Sequence, residues 1–166
     1  MAVKIPRKQI DALKKQLGVD TILCGDYETY WATDYSLSNM ATTDYVWDER
    51  FQAQLFGFRT DTDSKVTVLE ASDTKKFKAW AKTINWKRTA FLGHHAHFDG
   101  LIASHHHGIK PAFYLDTLSM ARAVMPVQIA RNLDSLSRAF GGKGKTRAAA
   151  LVETKGLRWE DFTAKQ

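Results

Sequence analysis

The amino-terminal part of the chain carries one helical apolar pattern followed by several extended ones. Residues 7 to 17 place an apolar side chain at every third or fourth position, which predicts an amphipathic helix that stops at the next glycine. The apolar run from Thr21 to Thr29 predicts a strand. A polar stretch from Ala32 to Glu49 follows, in which no element is predicted. Two apolar runs around a polar turn, Phe51 to Phe58 and Lys65 to Leu69, predict a hairpin beside the first strand.

In the rest of the chain, helical and extended patterns alternate. Over the whole chain, the predicted order is one helix, three strands and then alternating helices and strands. This order predicts an α/β domain with a mixed sheet and flanking helices, in which functional side chains gather where strands end. The predicted elements are a helix capped by Ser72 or Asp73, a strand from Thr89 to Leu92, a helix from about Phe98 to His107, a strand from Ala112 to Leu115, a helix after Asp116 and a helix capped by Asn132.

The composition is that of one folded domain without disulfides. The 166 residues are 44% hydrophobic and 25% charged, which is ordinary for a globular protein. Cys24 is the only cysteine and lies in an apolar run, so it is predicted to be a core residue in a reducing compartment. No apolar stretch reaches the roughly 20 residues that span a bilayer and no secretory signal is recognisable, which indicates a cytoplasmic protein with no membrane partner. A net charge of +6 favours a polyanionic partner.

Two carboxylates stand at the end of the first predicted strand. Asp26 and Glu28 leave the same side of an extended backbone, where they repel each other unless a cation lies between them. Oxygen ligands of this kind suit Mg²⁺ or Mn²⁺. Asp99 follows the strand Thr89 to Leu92, and it approaches the same sheet edge if that strand lies beside the first one. The sequence therefore predicts three converging carboxylates and a divalent-metal site.

Several short motifs, in order, make the chain similar to a known family. Asp26-Tyr27-Glu28-Thr29 resembles the first motif, and His95-Ala96-His97-Phe98-Asp99 the second, of the four-carboxylate (DEDD-type) 3′-to-5′ proofreading exonuclease domains of family A DNA polymerases. The resemblance covers roughly residues 20 to 160, and the order and spacing of the motifs make it specific. The other matching motifs are Gly108-Ile109, Asp116-Thr117 and Asn132 to Leu136.

This resemblance implies a ribonuclease H-like fold and a metal-dependent exonuclease. Four acidic residues of such domains hold two divalent ions, Mg²⁺ or Mn²⁺, which stabilise the attacking and leaving oxygens during phosphodiester hydrolysis. If the roles of the family's acidic residues are carried over to this chain, Asp26 would bridge the two ions, Glu28 would bind the ion that activates water, and Asp99 would support the second ion. The implied substrate is the single-stranded 3′ end of DNA. The implied partner is the remainder of a DNA polymerase of phage or bacterial type, in the host cytoplasm if a phage encodes it.

The chain departs from the family pattern at two places. His95 stands where the family usually has Asn, four positions before the acidic residue of the second motif. The third motif, a Tyr or His shortly before the fourth Asp, is expected after Gln166, and the nearest substitute, Asp161, is better explained as a helix cap or a solvated acid. We therefore expect residues 1 to 18 to form an N-terminal helix and residues 19 to 166 an exonuclease-like domain lacking its C-terminal catalytic helix. Such a fragment is expected to be a weak or inactive nuclease.

Residues next to the carboxylates are candidates for contacts with the substrate. Thr29 and His95 belong to the two motifs and could hydrogen-bond a nucleotide. Tyr30 and Trp31 could stack on terminal bases or pack in the protein, and the sequence leaves this choice open. Phe98 adjoins the carboxylates as well, although core packing is favoured for it. Basic residues that could contact phosphates or form a solvated loop are Lys143, Lys145 and Arg147.

Two other functions are weighed against the nuclease. All six histidines lie between His94 and His107, and residues 95 to 99 match the start of the His-x-His-x-Asp-His signature of metallo-β-lactamase hydrolases, which would indicate a zinc-dependent hydrolase. Gly100 stands where that signature needs its last histidine, and residues 105 to 107 are expected to form an exposed helix end. The second alternative is a non-catalytic DNA-binding or polymerase-docking module of the same fold, which would not depend on metal.

Overall fold

The computed structural model describes residues 6 to 144 and 154 to 163. Strands in this part of the chain are β1 (Thr21–Thr29), β2 (Ala53–Thr60), β3 (Thr67–Glu70), β4 (Thr89–Gly93) and β5 (Phe113–Asp116). They form one mixed sheet in the order β3-β2-β1-β4-β5, with β1 at its centre. β1 is antiparallel to β2 and parallel to β4, and β5 is parallel to β4 at one edge.

Helices lie on both faces of this sheet. They are α1 (Arg7–Leu17), α2 (Thr42–Trp47), α3 (Thr74–Ala81), α4 (Ala96–His107), α5 (Thr117–Val124), α6 (Leu133–Ala139) and α7 (Trp159–Thr163), with a 3-10 turn at Trp86–Arg88. The predicted α/β class, with a mixed sheet and flanking helices, is confirmed, and so is the hairpin of β2 and β3. The predicted caps Asp73, Asp116 and Asn132 each accept a backbone N–H of the first helical turn. Within the described ranges, every helix is too short or too polar to span a lipid bilayer.

α2 lies in the polar stretch for which the sequence predicts no element. Its six residues are too few to show a helical period, and tertiary contacts hold it in place. Tyr45 and Val46 are buried. The Tyr45 hydroxyl shares a hydrogen bond with the Thr29 hydroxyl (2.8 Å) and also donates to the backbone carbonyl of Tyr30. α2 therefore fixes the path of the chain just after β1.

The sheet separates a large core from a small one. The large core packs β1, β2 and β4 against α2, α3 and α4, and its largest buried side chains include Leu23, Tyr45, Phe56, Phe77, Phe91 and Ile102. On the other face, α1 packs over Val19, Ile22 and Ala90. Side chains on that face of β1 are buried at Ile22 but exposed from Cys24 onward. The predicted core position of Cys24 is therefore wrong, because an apolar run does not reveal where the covering helix ends.

Gly25 lies where β1 crosses the aromatic core. A Cβ atom at this position would lie 2.5 Å from Cζ of Phe56 and 3.0 Å from Cε2 of Phe91. Both rings are almost completely buried, so they cannot move without displacing their neighbours. Gly25→Ala is therefore expected to lower the free energy of unfolding by about 1–3 kcal/mol, as measured by urea denaturation.

Gly57 provides a matched control for this substitution. It lies on the adjacent strand β2, and a Cβ there would meet no atom within 4 Å. Gly57→Ala should change the free energy of unfolding by less than about 1 kcal/mol. Equal losses in the two variants would show that crowding against the rings is not the cause.

Candidate active site

Asp26 and Glu28 project from the end of β1, on the face opposite the aromatic core. Their side chains are exposed, whereas Tyr27 between them is 4% exposed and packs in the large core. The ladder between β1 and β4 ends at the pair Cys24 and Leu92. Both carboxylates therefore lie beyond the last rung of this ladder, at the carboxyl edge of the parallel strands, where α/β folds place their sites.

Asp99 reaches this edge from the first turn of α4. Its Oδ1 accepts a hydrogen bond from the backbone N–H of Tyr27 (2.9 Å), and the residue is only 2% exposed. Burial raises the pKa of Asp99 to about 7, with a further contribution from the negative charges of Asp26 and Glu28, although the bond from Tyr27 favours the ionised form. The structure thus brings Asp99 beside the residue that separates the other two carboxylates.

Asp26, Glu28 and Asp99 are donors of the type that a divalent cation prefers, whereas their spacing in this structure does not enclose one. Asp99 is costly to ionise as it stands, and a cation next to it would favour the ionised form. Carboxylate oxygens are also the donors that Mg²⁺ and Mn²⁺ prefer. Among residues 6–144 and 154–163, no three His, Cys, Asp or Glu side chains are grouped closely enough to enclose a metal ion.

Asp161 accepts the backbone N–H of Arg158 (2.7 Å), as expected of a helix cap at the start of α7.

His95 lies in the turn between β4 and α4 and has an unusual backbone. Its φ is 68°, the left-handed region, which is costly for a residue with a side chain. Oδ1 of Asp116 accepts the backbone N–H groups of His95 (2.7 Å) and Ala96 (3.2 Å), in addition to capping α5. Burial would raise the pKa of Asp116, but hydrogen bonds from Ser119 and from backbone N–H groups lower it to about 2. Asp116 therefore holds the turn that starts α4, a role for which the sequence gives no local signal.

His95→Gly is expected to raise the free energy of unfolding by up to about 1 kcal/mol, because glycine adopts positive φ without steric cost. The bond to Asp116 comes from the backbone and is kept in this variant. His97→Gly is the matched control, since His97 is exposed within regular α4 and glycine there should destabilise by about 1 kcal/mol. Urea denaturation measures both changes. If both variants lowered the free energy of unfolding by the same amount, the backbone strain assigned to His95 would be contradicted.

The other predicted substrate contacts surround the end of β1. Thr29 bonds the Tyr45 hydroxyl, and Phe98 is partly buried against the large core, with its ring centroid 6.1 Å from that of Tyr45. The Tyr30 ring stacks on Tyr35 at a centroid distance of 5.8 Å. Thr29, Phe98, Tyr30 and Trp31 are all half-buried, so each has part of its surface engaged in the protein.

The segment from 154 to 163 covers Tyr30 and Trp31 with basic side chains. Nζ of Lys155 lies 5.7 Å from the centroid of Trp31, and Cζ of Arg158 lies 4.6 Å from the centroid of Tyr30. The backbone N–H of Gly156 also donates to the carbonyl of Trp31 (2.8 Å). Sequence reasoning did not identify Lys155 or Arg158, because contacts between residues so far apart in the chain leave no periodic pattern. Of the predicted basic group, Lys143 is described, whereas Lys145 and Arg147 lie outside the described residues.

The histidines fall into two groups at opposite ends of α4. His94, His95 and His97 lie at its start and residues 105 to 107 at its end, about 12 Å apart at 1.5 Å per residue, so the two groups cannot share one zinc ion. A Cβ at Gly100 would lie 2.7 Å from Cε1 of Tyr114, so the missing histidine of the zinc signature has no room at this position. These distances argue against the zinc-dependent hydrolase.

His107 contradicts the prediction of an exposed helix end. It is 7% exposed and stacks on Tyr27, with ring centroids 5.6 Å apart and planes inclined by 5°. Burial, with smaller effects of His106 and Lys78, lowers the pKa of His107 to about 4. The last turn of α4 packs on the aromatic core, which a run of three polar residues does not reveal.

Comparison with solved structures identifies chains of the same fold. The EXO domain of Nibbler from Aedes aegypti superimposes with a TM-score of 0.57 at 13% identity, over 97% of this chain and 82% of that one. RNase D from Trypanosoma brucei gives a TM-score of 0.58 at 14% identity, over 90% of this chain. The structure of Trypanosoma brucei RNase D in complex with RNA U12 gives a TM-score of 0.57 at 16% identity, over 92% of this chain. The chain spans 50% of both RNase D chains, and it matches no protein-family model and no curated protein.

Identities of this size establish the fold and not the activity. The central antiparallel pair, the parallel strands beside it and the helices on both faces agree with these exonuclease-type domains. The chain therefore has the ribonuclease H-like fold.

Proposed function

We propose that the chain is a metal-dependent 3′-to-5′ exonuclease domain that hydrolyses the terminal phosphodiester of a single-stranded nucleic acid. The observation that carries this proposal is the position of buried Asp99 against Tyr27, between Asp26 and Glu28, in a fold shared with exonuclease-type domains. The negative charges of Asp26 and Glu28 raise the cost of ionising the buried Asp99, a cost that a bound cation would offset.

The proposed roles follow the chemistry of the side chains. Asp26, Glu28 and Asp99 would hold two Mg²⁺ or Mn²⁺ ions, which when bound supply charge stabilisation for the attacking and leaving oxygens of an in-line displacement. The hydrogen bond from Tyr27 keeps the Asp99 carboxylate oriented toward β1. Tyr30 and Trp31 follow Glu28 by two and three positions, and their exposed parts would lie near the last nucleotides of the strand.

We further propose that the substrate is the 3′ end of DNA and that the domain proofreads for a DNA polymerase, of phage or bacterial type. The order of the sequence motifs supports this context. An RNA substrate is the second candidate, because one structural neighbour is RNase D in complex with RNA U12. The basic net charge of +6 is compatible with both.

One experiment tests the activity and separates these substrates. Single-stranded DNA and RNA oligonucleotides of matched sequence, labelled at the 5′ end, are incubated with the purified chain in Mg²⁺, Mn²⁺ or EDTA. A ladder that shortens from the 3′ end only when metal is present supports the exonuclease, even if it is slow. An oligonucleotide with a blocked 3′ hydroxyl controls for endonuclease activity.

A non-catalytic DNA-binding or polymerase-docking module gives a different result. It would bind the oligonucleotide with the same affinity in metal and in EDTA, and Asp26→Ala with Glu28→Ala would leave this affinity unchanged. Absence of cleavage together with this behaviour would replace the exonuclease by the binding module.

A further inference from the structure

Two cations lie over the aromatic residues that follow the carboxylates. Lys155 is exposed above Trp31, and Arg158 is half-buried above Tyr30. Tyr30 and Trp31 come within three residues of Glu28, a span of at most about 10 Å of extended chain. Both cations are thereby placed close to the carboxyl edge of β1.

Hydrogen bonds that do not involve the charged groups of Lys155 and Arg158 hold the segment that carries these cations, among them one from the Gln52 side chain to the Glu160 carboxylate (3.1 Å). The Gln54 side chain donates to the carbonyl of Leu157 (2.8 Å), and the Gln52 side chain accepts the backbone N–H of Trp159 (3.0 Å). Gly156 donates to the carbonyl of Trp31 (2.8 Å). Gln54 lies in β2 and Gln52 immediately precedes this strand, whose register pairs Ala53 with Thr29. The segment is therefore attached along the end of β1 by its backbone, without using the charges of Lys155 and Arg158.

The two charges also lack carboxylate partners in the part of the chain that the structure describes. Other basic residues nearby are neutralised there, for example Arg50 by Asp48 at 2.8 Å. Nine ion-pair contacts occur among the described residues, and neither Lys155 nor Arg158 takes part in any of them. A cation–π contact with Tyr or Trp fixes a cation in place without cancelling its charge. The positive charge therefore remains available to an anion.

We propose that Lys155 and Arg158 bind the phosphates of the single strand next to the one that is cleaved, and so position its 3′ end over Asp26, Glu28 and Asp99. This inference rests on the proposed nuclease function and names the residues that hold the strand. Cations are needed there because the carboxylates repel a polyanion, and two fixed cations offset that repulsion. The planar guanidinium of Arg158 carries N–H groups that can form paired hydrogen bonds to one phosphate.

Binding of a fluorescent single-stranded oligonucleotide with a free 3′ end tests this proposal. Affinity is measured in EDTA, where nothing is cleaved, at several salt concentrations. Lys155→Gln with Arg158→Gln is expected to weaken binding about tenfold at low salt. The slope of log K against log salt should fall by about 0.7 for each phosphate that the variant no longer binds. The charge-keeping pair Lys155→Arg and Arg158→Lys should retain affinity within about threefold of the original chain, because binding to phosphates follows the number of cations.

Lys8 and Lys87 give a control with the same change in net charge. Lys8 lies on α1 and Lys87 in the turn before β4, both exposed and both at the amino end of the parallel strands, opposite the site. Lys8→Gln with Lys87→Gln should change affinity less than about twofold. An equal loss in this control, or an unchanged salt slope in the Lys155 and Arg158 variant, overturns the proposal.

The failure of this proposal is distinguishable from failure of the proposed function. If the original chain shortens oligonucleotides from the 3′ end while the Lys155 and Arg158 variant binds normally, the exonuclease stands and the phosphate contact is wrong. If the original chain neither binds nor cleaves any oligonucleotide, both are wrong. A thermal melt of each variant confirms that it is folded.

Discussion

Asp26→Asn together with Glu28→Gln is expected to weaken Mn²⁺ binding strongly and to reduce 3′-end cleavage by at least about 100-fold. Amides keep the size of the side chains but cannot offset the charge of a divalent cation. Metal ions in such sites supply several kcal/mol of transition-state stabilisation, and about 1.4 kcal/mol corresponds to a factor of ten in rate. Titration calorimetry with Mn²⁺ measures the first effect even if cleavage by the chain is slow.

The matched control for this variant changes two exposed acids elsewhere. Asp44→Asn with Glu49→Gln raises the net charge by the same amount, from two exposed positions in and just after α2. It should leave Mn²⁺ affinity and cleavage within about twofold of the original chain. Unchanged Mn²⁺ affinity in the Asp26 and Glu28 variant would remove the metal site from this edge of the sheet.

Asp99→Asn is expected to stabilise the fold at pH 8 in EDTA by about 2–4 kcal/mol, while abolishing cleavage. The pKa of Asp99 is about 7 in the folded protein and about 3.9 in an unfolded chain, so the folded state holds the proton more tightly. The contribution of protonated Asp99 to the free energy of unfolding is therefore fully present below pH 4 and is lost as the pH rises through 7. Asparagine keeps an oxygen that can accept the Tyr27 N–H and carries no charge to bury.

Urea denaturation across pH gives a signature that a merely structural role would not produce. The increase in the free energy of unfolding caused by Asp99→Asn should fall below about 1 kcal/mol at pH 4, where the carboxyl of the original chain is protonated in the folded state. Mg²⁺ should stabilise the original chain, because it favours ionised Asp99, and should have little effect on the variant. An advantage that does not vary with pH, or an equal Mg²⁺ effect on both proteins, would contradict the assigned environment of Asp99. Asp44→Asn, at an exposed carboxyl, is the control.

Local rules of the sequence account for much of the fold. The period of two along β1 places Asp26 and Glu28 on one side with Tyr27 on the other, as the burial pattern shows. Gly18 and Gly108 end their helices in the left-handed region, where glycine is favoured. These features depend on neighbours within a few positions, so they could be predicted without knowing the rest of the structure.

Predictions failed where burial depends on what covers a residue. Cys24 lies in an apolar run but beyond the residues that α1 covers, so it is exposed. The period of two along β1 places Cys24 on the side that carries Asp26, whose charge, together with desolvation, raises the pKa of the thiol. His107 lies in a polar run but under the aromatic core. In both cases the deciding contacts come from elements distant in the sequence.

The sequence by itself determined the two carboxylates on one face of β1, the α/β class and the positions of most helix ends, because each follows from backbone periodicity and local hydrogen bonding. Only the tertiary structure decided that Asp99 lies against Tyr27, since this requires β4 to pair with β1 and α4 to begin at their common edge. It also decided that Lys155 and Arg158 lie over Trp31 and Tyr30. Such contacts join distant parts of the chain through packing, for which no local pattern exists.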